Sequence, residues 1–553
     1  MPNALYYGDN LAVLRESIAS ESVDLVYLDP PFNSSATYNV LFKSPQGAES
    51  EAQIEAFEDT WHWNEHGELA FDEVMHSGNA EAANMLKAMR SFLGDNDMMA
   101  YLAMMAIRLI ELHRVLKPTG SIYLHCDPTA SHYIKVMMDG IFGPKYFQNE
   151  IIWKRTSSHN RAKRWGPVHD VILFYSNGDK FTWNRTLQAY DEKYTDEFYR
   201  FSDSKGRYAV DNLTGPGPRS GSSGQPWRNI DPTKNQRHWE LPPDRSLPDW
   251  FVFPSGYSDM NVQDRLDVLD KQELIYWPAK EGGIPRYKRY LMSQSGSAVQ
   301  DVITDIGPIS SRSDERLGYQ TQKPVELLER IIAASSNEGD LVLDPFCGCG
   351  TAVHAAEKLK RQWIGIDITH LAIGLIERRL KDAFPGIKLD IHGTPKDFAG
   401  AENLALRDKY QFQWWAVTLI NAVPYGGKKK GADGGIDGYY YCKPDGKKTE
   451  GGVVSVKGGD NLGVQMVRDL NGVMVREKSP FAVLITLREP TTPMVKEAAA
   501  AGFFETPFGK FAKLQIATVS EMLDGKLPKL PPQEYGGGYK QAAEEKPAQN
   551  KLL

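Results

Sequence analysis

Cysteine is scarce. Only Cys126, Cys347, Cys349 and Cys442 occur in 553 residues. No pair among them suggests a disulfide framework, which fits a reducing cytoplasm. Long apolar runs are missing too. No stretch of about eighteen apolar residues occurs, so no membrane span is expected. The start, Met1-Pro2-Asn3-Ala4-Leu5, has no basic residues leading into an apolar core, so no signal peptide is expected. Positive charge is not in excess. The net charge is −7, and any nucleic-acid surface has to be a local basic patch. A G-x-x-x-x-G-K-[ST] motif is absent, which excludes a translocating motor. A G-x-G-x-x-G fingerprint is absent, which argues against a nicotinamide enzyme. What remains is globular in character, with 41% hydrophobic and 24% charged residues. Length alone suggests about three or four domains.

The patterning divides the chain into 1–180, 181–315, 316–398, 399–530 and a tail at 531–553. In the first segment, strand-like runs (5–7, 23–28, 120–125, 171–175) alternate with helical ones (12–18 and a long one at 82–116). Alternation of this kind predicts a doubly wound, mainly parallel α/β sheet. The segment 181–315 breaks the pattern. It is rich in Gly, Pro, Ser, Trp and Arg, and no long regular elements are predictable there. Alternation returns with helices at 324–335, 351–360 and 371–384 and strands at 341–343 and 363–366. The tail is rich in Pro, Gly, Gln, Glu and Lys and is expected to be disordered.

Two motifs carry the chemistry. Asp344-Pro345-Phe346-Cys347-Gly348-Cys349-Gly350-Thr351 follows an apolar strand and opens a helix. Gly348 and Gly350 let backbone approach a nucleoside-bearing ligand that Cβ atoms would block. Asp367, at the tip of the next strand, can accept hydrogen bonds from both ribose hydroxyls. The pair Cys347-x-Cys349 could be half of a metal site, but its second half is missing. Small residues in a tight cofactor loop are the simpler reading.

The other motif, Asp29-Pro30-Pro31-Phe32, ends the run Val23–Leu28. It resembles the catalytic motif of amino-methyltransferases acting on nucleic-acid bases, whose target, an exocyclic amino group on adenine or cytosine, is a poor nucleophile because its lone pair is delocalised into the ring. Asp29 can accept one amino hydrogen and the Pro30 carbonyl the other. Pro30 and Pro31 fix the backbone and remove competing amide donors. Phe32 offers a face for a flipped base. A five-carbon cytosine methylase would instead need an activated thiolate. Cys126 follows His125 and reads as a packed strand-end residue. The tetrapeptide alone could equally be a turn at a strand end.

Together these segments resemble the DNA amino-methyltransferases of the beta class. There the catalytic motif precedes the S-adenosylmethionine loop, so that the Rossmann-like domain is circularly permuted. The resemblance covers most of residues 1–395. It implies that Asp344, Phe346, Gly348, Gly350, Thr351 and Asp367 hold S-adenosyl-L-methionine. It also implies that Thr321 and Lys323 of Thr321-Gln322-Lys323-Pro324 contact its methionine end, and that Asp9 of Gly8-Asp9-Asn10 lies near its adenine ring. Asp9 could equally be a helix N-cap. In these terms, 1–180 is the catalytic half, 316–398 the cofactor half and 181–315 a target-recognition insertion. The insertion interleaves Arg219, Arg228, Arg237, Arg286, Lys288 and Arg289 with Trp227, Trp239, Tyr287 and Tyr290. These suit phosphates, guanine edges and stacking. For any one of them, a solvated or buried place in the insertion is the plainer reading.

In 399–530, Asp437 in Gly435-Ile436-Asp437-Gly438 and Lys457 in Val453-Val454-Ser455-Val456-Lys457 resemble the restriction-endonuclease-like fold related to Mrr nucleases. In that fold Asp binds a divalent cation and Lys orients or activates water. Ser455 stands where an acid or Gln is expected, and Gln411 and Gln413 replace an obvious upstream Glu. Magnesium at Asp437, or a DNA-binding relic without chemistry, are both left open. Lys428-Lys429-Lys430 could bind phosphates or be a solvated loop.

The sequence therefore predicts a cytoplasmic, S-adenosylmethionine-dependent methyltransferase. It acts on adenine N6 in double-stranded DNA within a restriction-modification system. Adenine is preferred over cytosine N4 because Asp, not Ser, leads the catalytic motif. No membrane partner is expected, and a homodimer is left open.

Overall fold

The structure is a computed structural model. It describes residues 3–31, 37–43, 49–58, 63–156, 163, 165–188, 190–280, 282–291, 296–310, 313, 315–317, 321–425, 435–443, 450–533 and 542–545. For 37–43, 49–58 and 192 it describes backbone alone. The chain divides into two compact units, one of residues 1–184 and 300–547, the other Arg185–Val299.

Nine strands make the main sheet of the larger unit. They are β1 (Ala4–Tyr7), β2 (Val23–Leu28), β3 (Leu116–Cys126), β4 (Phe147–Trp153), β5 (Asp170–Ser176), β6 (Val302–Ile303), β7 (Leu341–Asp344), β8 (Gln362–Asp367) and β9 (Asp390–His392). Their order across the sheet is β6-β4-β5-β3-β2-β7-β8-β1-β9. All neighbours run parallel except β5, which is antiparallel to both β3 and β4. β2 and β5 are near-continuous apolar runs and are buried on both faces, as helices on either side require. One face packs against helices Asn10–Ser17, Ala80–Leu93, Asp97–Val115 and Ser131–Phe142. The other packs against Val325–Ser335, Thr351–Lys358 and His370–Ala383. This is a doubly wound α/β sheet, in accord with the alternation in the sequence.

Three local expectations change. The single helix at 82–116 is two helices, Ala80–Leu93 and Asp97–Val115. Gly94 ends the first with φ 71°, and the Asn96 side chain caps the second by accepting from Met99 N at 2.9 Å. Apolar periodicity ran through this break because both helices bury one face in the same core. β3 begins at Leu116, before the expected 120. The chain re-enters the larger unit before residue 315, because β6 pairs with β4 and Trp153 Nε1 donates to the Ile306 carbonyl at 2.9 Å.

The smaller unit has more regular structure than its composition suggested. Ile275–Tyr276, Arg286–Tyr290, Gly206–Asn212 and Phe201–Asp203 form a four-stranded antiparallel sheet beside helix Val262–Lys271. Trp227, Trp239, Tyr287 and Tyr290 are buried in its core with Leu266 and Leu269. Hence these four aromatics are packing residues and do not present faces for stacking. Several cations are tied locally: Arg228 to Asp270, Lys288 to Asp203 and Arg289 to Asp211. Arg219 and Arg286 are exposed.

A second sheet in the larger unit orders Val423–Pro424, Gly438–Cys442, Glu450–Lys457, Ala482–Thr486 and Leu514–Thr518. The last three run parallel. Helices Val464–Arg476 and Thr492–Ala500 cover one face, and Phe398–Arg407 with Lys409–Thr418 the other. The described parts of the tail are tied down, against expectation. Tyr440 Oη donates to the Pro531 carbonyl at 2.8 Å, and Glu545 Oε1 lies 3.0 Å from His354 Nε2. The rest of the tail lies outside the described residues.

Candidate active site

β2 and β7 are adjacent and parallel, with Leu25 opposite Val342 and Val26 opposite Leu343. From β2 the sheet continues through β3 in one direction, and from β7 through β8 in the other. The crevice beyond the carboxyl ends of such a pair is where open α/β sheets bind ligands. Asp29 and Asp344 stand at those two ends. A cavity of about 250 Å³ opens there. Asp29 and Pro31 line it, as do Asp9, Thr321, Lys323, Asp344, Phe346, Gly348, Thr351 and Asp367. Pro30 is buried beside it. Phe32 lies outside the described residues.

The loop after β7 is held from several sides. Asp344 Oδ1 accepts from Phe346 N at 3.1 Å, and burial pushes the carboxyl far up from its ordinary value. Asp367 Oδ2 accepts from Gly348 N at 2.9 Å, while Oδ1 accepts from Thr369 N at 2.8 Å and Thr369 Oγ1 at 2.9 Å. Burial still pushes the Asp367 carboxyl up to about 6. Gly350 caps helix Thr351–Lys358 at φ 76°, where a Cβ would come within 2.8 Å of the Ile376 side chain. Buried Arg379 reaches across from helix His370–Ala383 and donates to the Cys349 carbonyl at 2.9 Å and Thr351 Oγ1 at 3.2 Å. Cys347 and Cys349 are buried thiols that burial pushes up. Among the described residues no group of three His, Cys, Asp or Glu could hold a metal.

Asp9 has both of the places considered for it. It caps helix Asn10–Ser17 by accepting from Leu11 N at 3.1 Å, and it lines the cavity. Buried Arg108 donates to Asp9 Oδ1 at 2.9 Å and to Asn10 Oδ1 at 2.6 Å. Asn10 Nδ2 in turn donates to the Pro345 carbonyl at 2.9 Å, fastening the β1 turn to the loop after β7.

At the end of β2, Lys323 Nζ lies 2.5 Å from Asp29 Oδ2. Asp29 Oδ1 is buried and has no hydrogen-bond partner among the described residues. Such an acceptor is costly unless a ligand donor completes it. Behind it Tyr27 Oη meets His125 Nδ1 at 3.0 Å, and His125 Nε2 meets Asp170 Oδ2 at 3.2 Å.

In the second sheet, Asp437 and Lys457 come from neighbouring strand positions. Asp437 Oδ2 accepts from Ser455 Oγ at 3.1 Å and from Val456 N at 2.6 Å. Ser455 therefore stabilises Asp437 without adding an anionic ligand. Gln411 is turned elsewhere: its Oε1 accepts from His370 N at 3.4 Å. Lys428, Lys429 and Lys430 lie outside the described residues.

A family model described as DNA methylase matches residues 23–378. The chain belongs to that family. A second model, described as restriction endonuclease, matches residues 407–504 of the methylase. The methylase is 31% identical to the type II methyltransferase M.EcaI of Enterobacter cloacae over 381 residues, covering 68% of this chain and 69% of that protein. It is 25% identical to the Mod subunit of the type III restriction-modification enzyme StyLTI of Salmonella typhimurium, covering 65% of this chain and half (50%) of that protein. It is 25% identical to the DNA adenine methyltransferase YhdJ of Escherichia coli, covering 68% of this chain and 82% of that protein.

Sequence reasoning missed several residues around the methylase cavity: Tyr27, His125, Arg108 and Arg379. Tyr27 and His125 were read only as members of apolar strands, and Arg108 and Arg379 only as helix positions. One signal was present. A His or Arg inside an otherwise apolar element has to find a partner when buried. The sequence does not say which.

Proposed function

We propose that the methylase transfers the methyl group of S-adenosyl-L-methionine to the exocyclic N6 of adenine in double-stranded DNA, as the modifying part of a restriction-modification system. The observation that carries this is the buried, unpartnered Asp29 Oδ1 at the crevice shared with the loop after β7. In this reading residues 1–180 and 316–398 are the two halves of one permuted catalytic domain, and 181–315 reads the target. Residues 399–530 are a nuclease-like module, and 531–553 a tail.

The residues of the cavity suit the cofactor. Asp367 can receive ribose hydroxyls and Lys323 a carboxylate. When bound, the cofactor supplies an electrophilic methyl group. The protein's work is orientation. Asp29 Oδ1 and the Pro30 carbonyl accept hydrogen bonds from the two amino N–H groups, which turns the nitrogen lone pair toward the methyl; as the carbon–nitrogen bond forms, the carbon–sulfur pair stays on sulfur, and one amino proton is lost to solvent. Lys323 neutralises the other oxygen of Asp29.

DNA access is supported by Lys154 and Arg155, which directly follow β4 at the end of the sheet that also carries Asp29, and by Trp165, which is 98% exposed. Such a surface suits a phosphate backbone and bases. Adenine is favoured by Asp at the head of the motif and by the likeness to YhdJ.

Sequencing of DNA from a host expressing the chain, with mass spectrometry of nucleosides, tests the reading. N6-methyladenine at one short sequence is expected. N4-methylcytosine alone would move the assignment to cytosine, and methylation of RNA alone would reject DNA.

For the nuclease-like module, a DNA-binding role without cleavage is the second reading. It is favoured by the neutral Ser455 bonded to Asp437. Magnesium prefers several carboxylate oxygens, and this donor set does not suit it.

A further inference from the structure

This inference rests on the methyltransferase reading and names residues that prepare its base pocket. Tyr27 and Asp29 line the same cavity wall. From Tyr27 a chain of polar side chains runs through the core. Tyr27 Oη meets His125 Nδ1 at 3.0 Å and His125 Nε2 meets Asp170 Oδ2 at 3.2 Å, while Asp170 Oδ1 forms an ion pair with Arg155 Nε at 3.1 Å without hydrogen-bond geometry. Tyr27, His125 and Asp170 are at most 2% exposed. Because they stand on β2, β3 and β5, sheet register sets their geometry.

The direction of each hydrogen bond follows from charge. Burial opposes ionisation of Asp170, but the His125 hydrogen bond, with Lys323 and Arg155 nearby, brings its pKa below the ordinary value. Burial, then the Lys323 charge, lowers the pKa of His125, which keeps the imidazole neutral. A carboxylate at Nε2 places the single imidazole hydrogen there and leaves Nδ1 an acceptor. The Tyr27 hydroxyl hydrogen is then committed to His125, and only oxygen lone pairs are left for the cavity.

We propose that Tyr27, His125 and Asp170 form a positioning relay that turns the Tyr27 hydroxyl hydrogen away from the cavity, so that this wall offers an incoming base acceptors and no hydroxyl donor. An exocyclic amino group, with two N–H donors, finds partners there. A base carrying a carbonyl at that position leaves acceptors facing an acceptor, a mismatch that discriminates strongly in a buried site. In the opposite imidazole tautomer Nδ1–H would donate to Tyr27 Oη. The released hydroxyl would be free to turn its hydrogen toward the cavity, a donor where the amino group needs acceptors. None of the three residues makes or breaks a bond.

Two measurements test this. Nitrogen-15 spectra of the full chain labelled at histidine, with His125 assigned by His125→Gln, should show Nε2–H. An Nδ1–H form overturns the relay whatever the variants do. In parallel, Asp170→Asn supplies an amide that can donate to Nε2 and reverse the tautomer. Single-turnover transfer from radiolabelled cofactor to unmethylated bacteriophage DNA should fall at least about tenfold, with cofactor affinity by calorimetry within about threefold. Adding Tyr27→Phe removes the released hydroxyl and should recover at least about fivefold over Asp170→Asn alone. A double variant as slow as Asp170→Asn overturns the proposal. If the unaltered chain binds cofactor but methylates no DNA, the methyltransferase reading fails, and the spectra still decide the relay.

Discussion

Lys323 and Asp29, 294 positions apart in sequence, meet as an ion pair with Nζ 2.5 Å from Oδ2. Their side chains are only 10% and 18% exposed, so the pair is weakly screened. It joins the segment before helix Val325–Ser335 to the end of β2, across the crevice. One carboxylate oxygen is paired with Lys323, and the other is buried with no hydrogen-bond partner among the described residues. Removing one member of such a pair leaves a buried charge, which typically costs about 3–5 kcal/mol.

Asp29→Ala is expected to lower methyl transfer by at least about a hundredfold, the scale of a lost positioned proton acceptor. Cofactor affinity should change little, because Asp29 faces the base. Radiolabelled transfer and calorimetry, with thermal unfolding as the folding control, check this. Transfer near the wild-type rate would remove Asp29 from the mechanism.

The Asp367 carboxyl is pushed up by burial to about 6 in the folded protein, against an ordinary value of 3.8. The sign follows. The folded state favours the protonated form, so this group's contribution to stability is largest at low pH and is lost as pH rises from about 4 to about 6. Cofactor binding runs the other way, because ribose hydroxyls donate best to the anion. Affinity for S-adenosyl-L-methionine should be flat above about pH 6.5 and fall toward about tenfold per pH unit well below 6. Calorimetry at pH 5, 6 and 7.5 reads this as proton release on binding, and Asp367→Asn should abolish the pH dependence and weaken binding.

Gly350→Ala tests the loop's backbone. At φ 76°, with Ile376 within 2.8 Å of the new Cβ, the variant combines left-handed strain with overpacking. A loss of about 2–4 kcal/mol is expected from these two effects. The denaturant midpoint measures it, and adding Ile376→Ala should leave only the backbone part.

For the nuclease-like module, DNA binding with weak or absent cleavage is expected in magnesium or manganese. The intact chain, a chain ending near Gly400 and Lys457→Ala are compared on methylated and unmethylated DNA. Nicking that needs both the module and Lys457 would make the protein a self-contained restriction-modification enzyme. Loss of neither binding nor cleavage on truncation would remove the module from DNA contact altogether.

Local sequence determined much of this protein. The apolar runs of β2 and β7, the Gly-containing loop after Asp344 and the two prolines after Asp29 are short-range patterns, and each could be read where it stood. Even the order of the two motifs, Asp29 before Asp344, is a one-dimensional fact. Tertiary structure decided the rest. A break between two helices that share one buried face leaves no change in period, so Gly94 and Asn96 did not announce it. Trp227, Trp239, Tyr287 and Tyr290 sit in a segment without regular period, where composition cannot separate a packed ring from a stacking one. The pairing of Asp29 with Lys323, the grip of Arg379 on the cofactor loop and the line from Tyr27 through His125 to Asp170 join residues on separate elements. Their partners were chosen by sheet order and register, which place distant strands side by side and leave each buried polar group only the neighbours that the fold supplies.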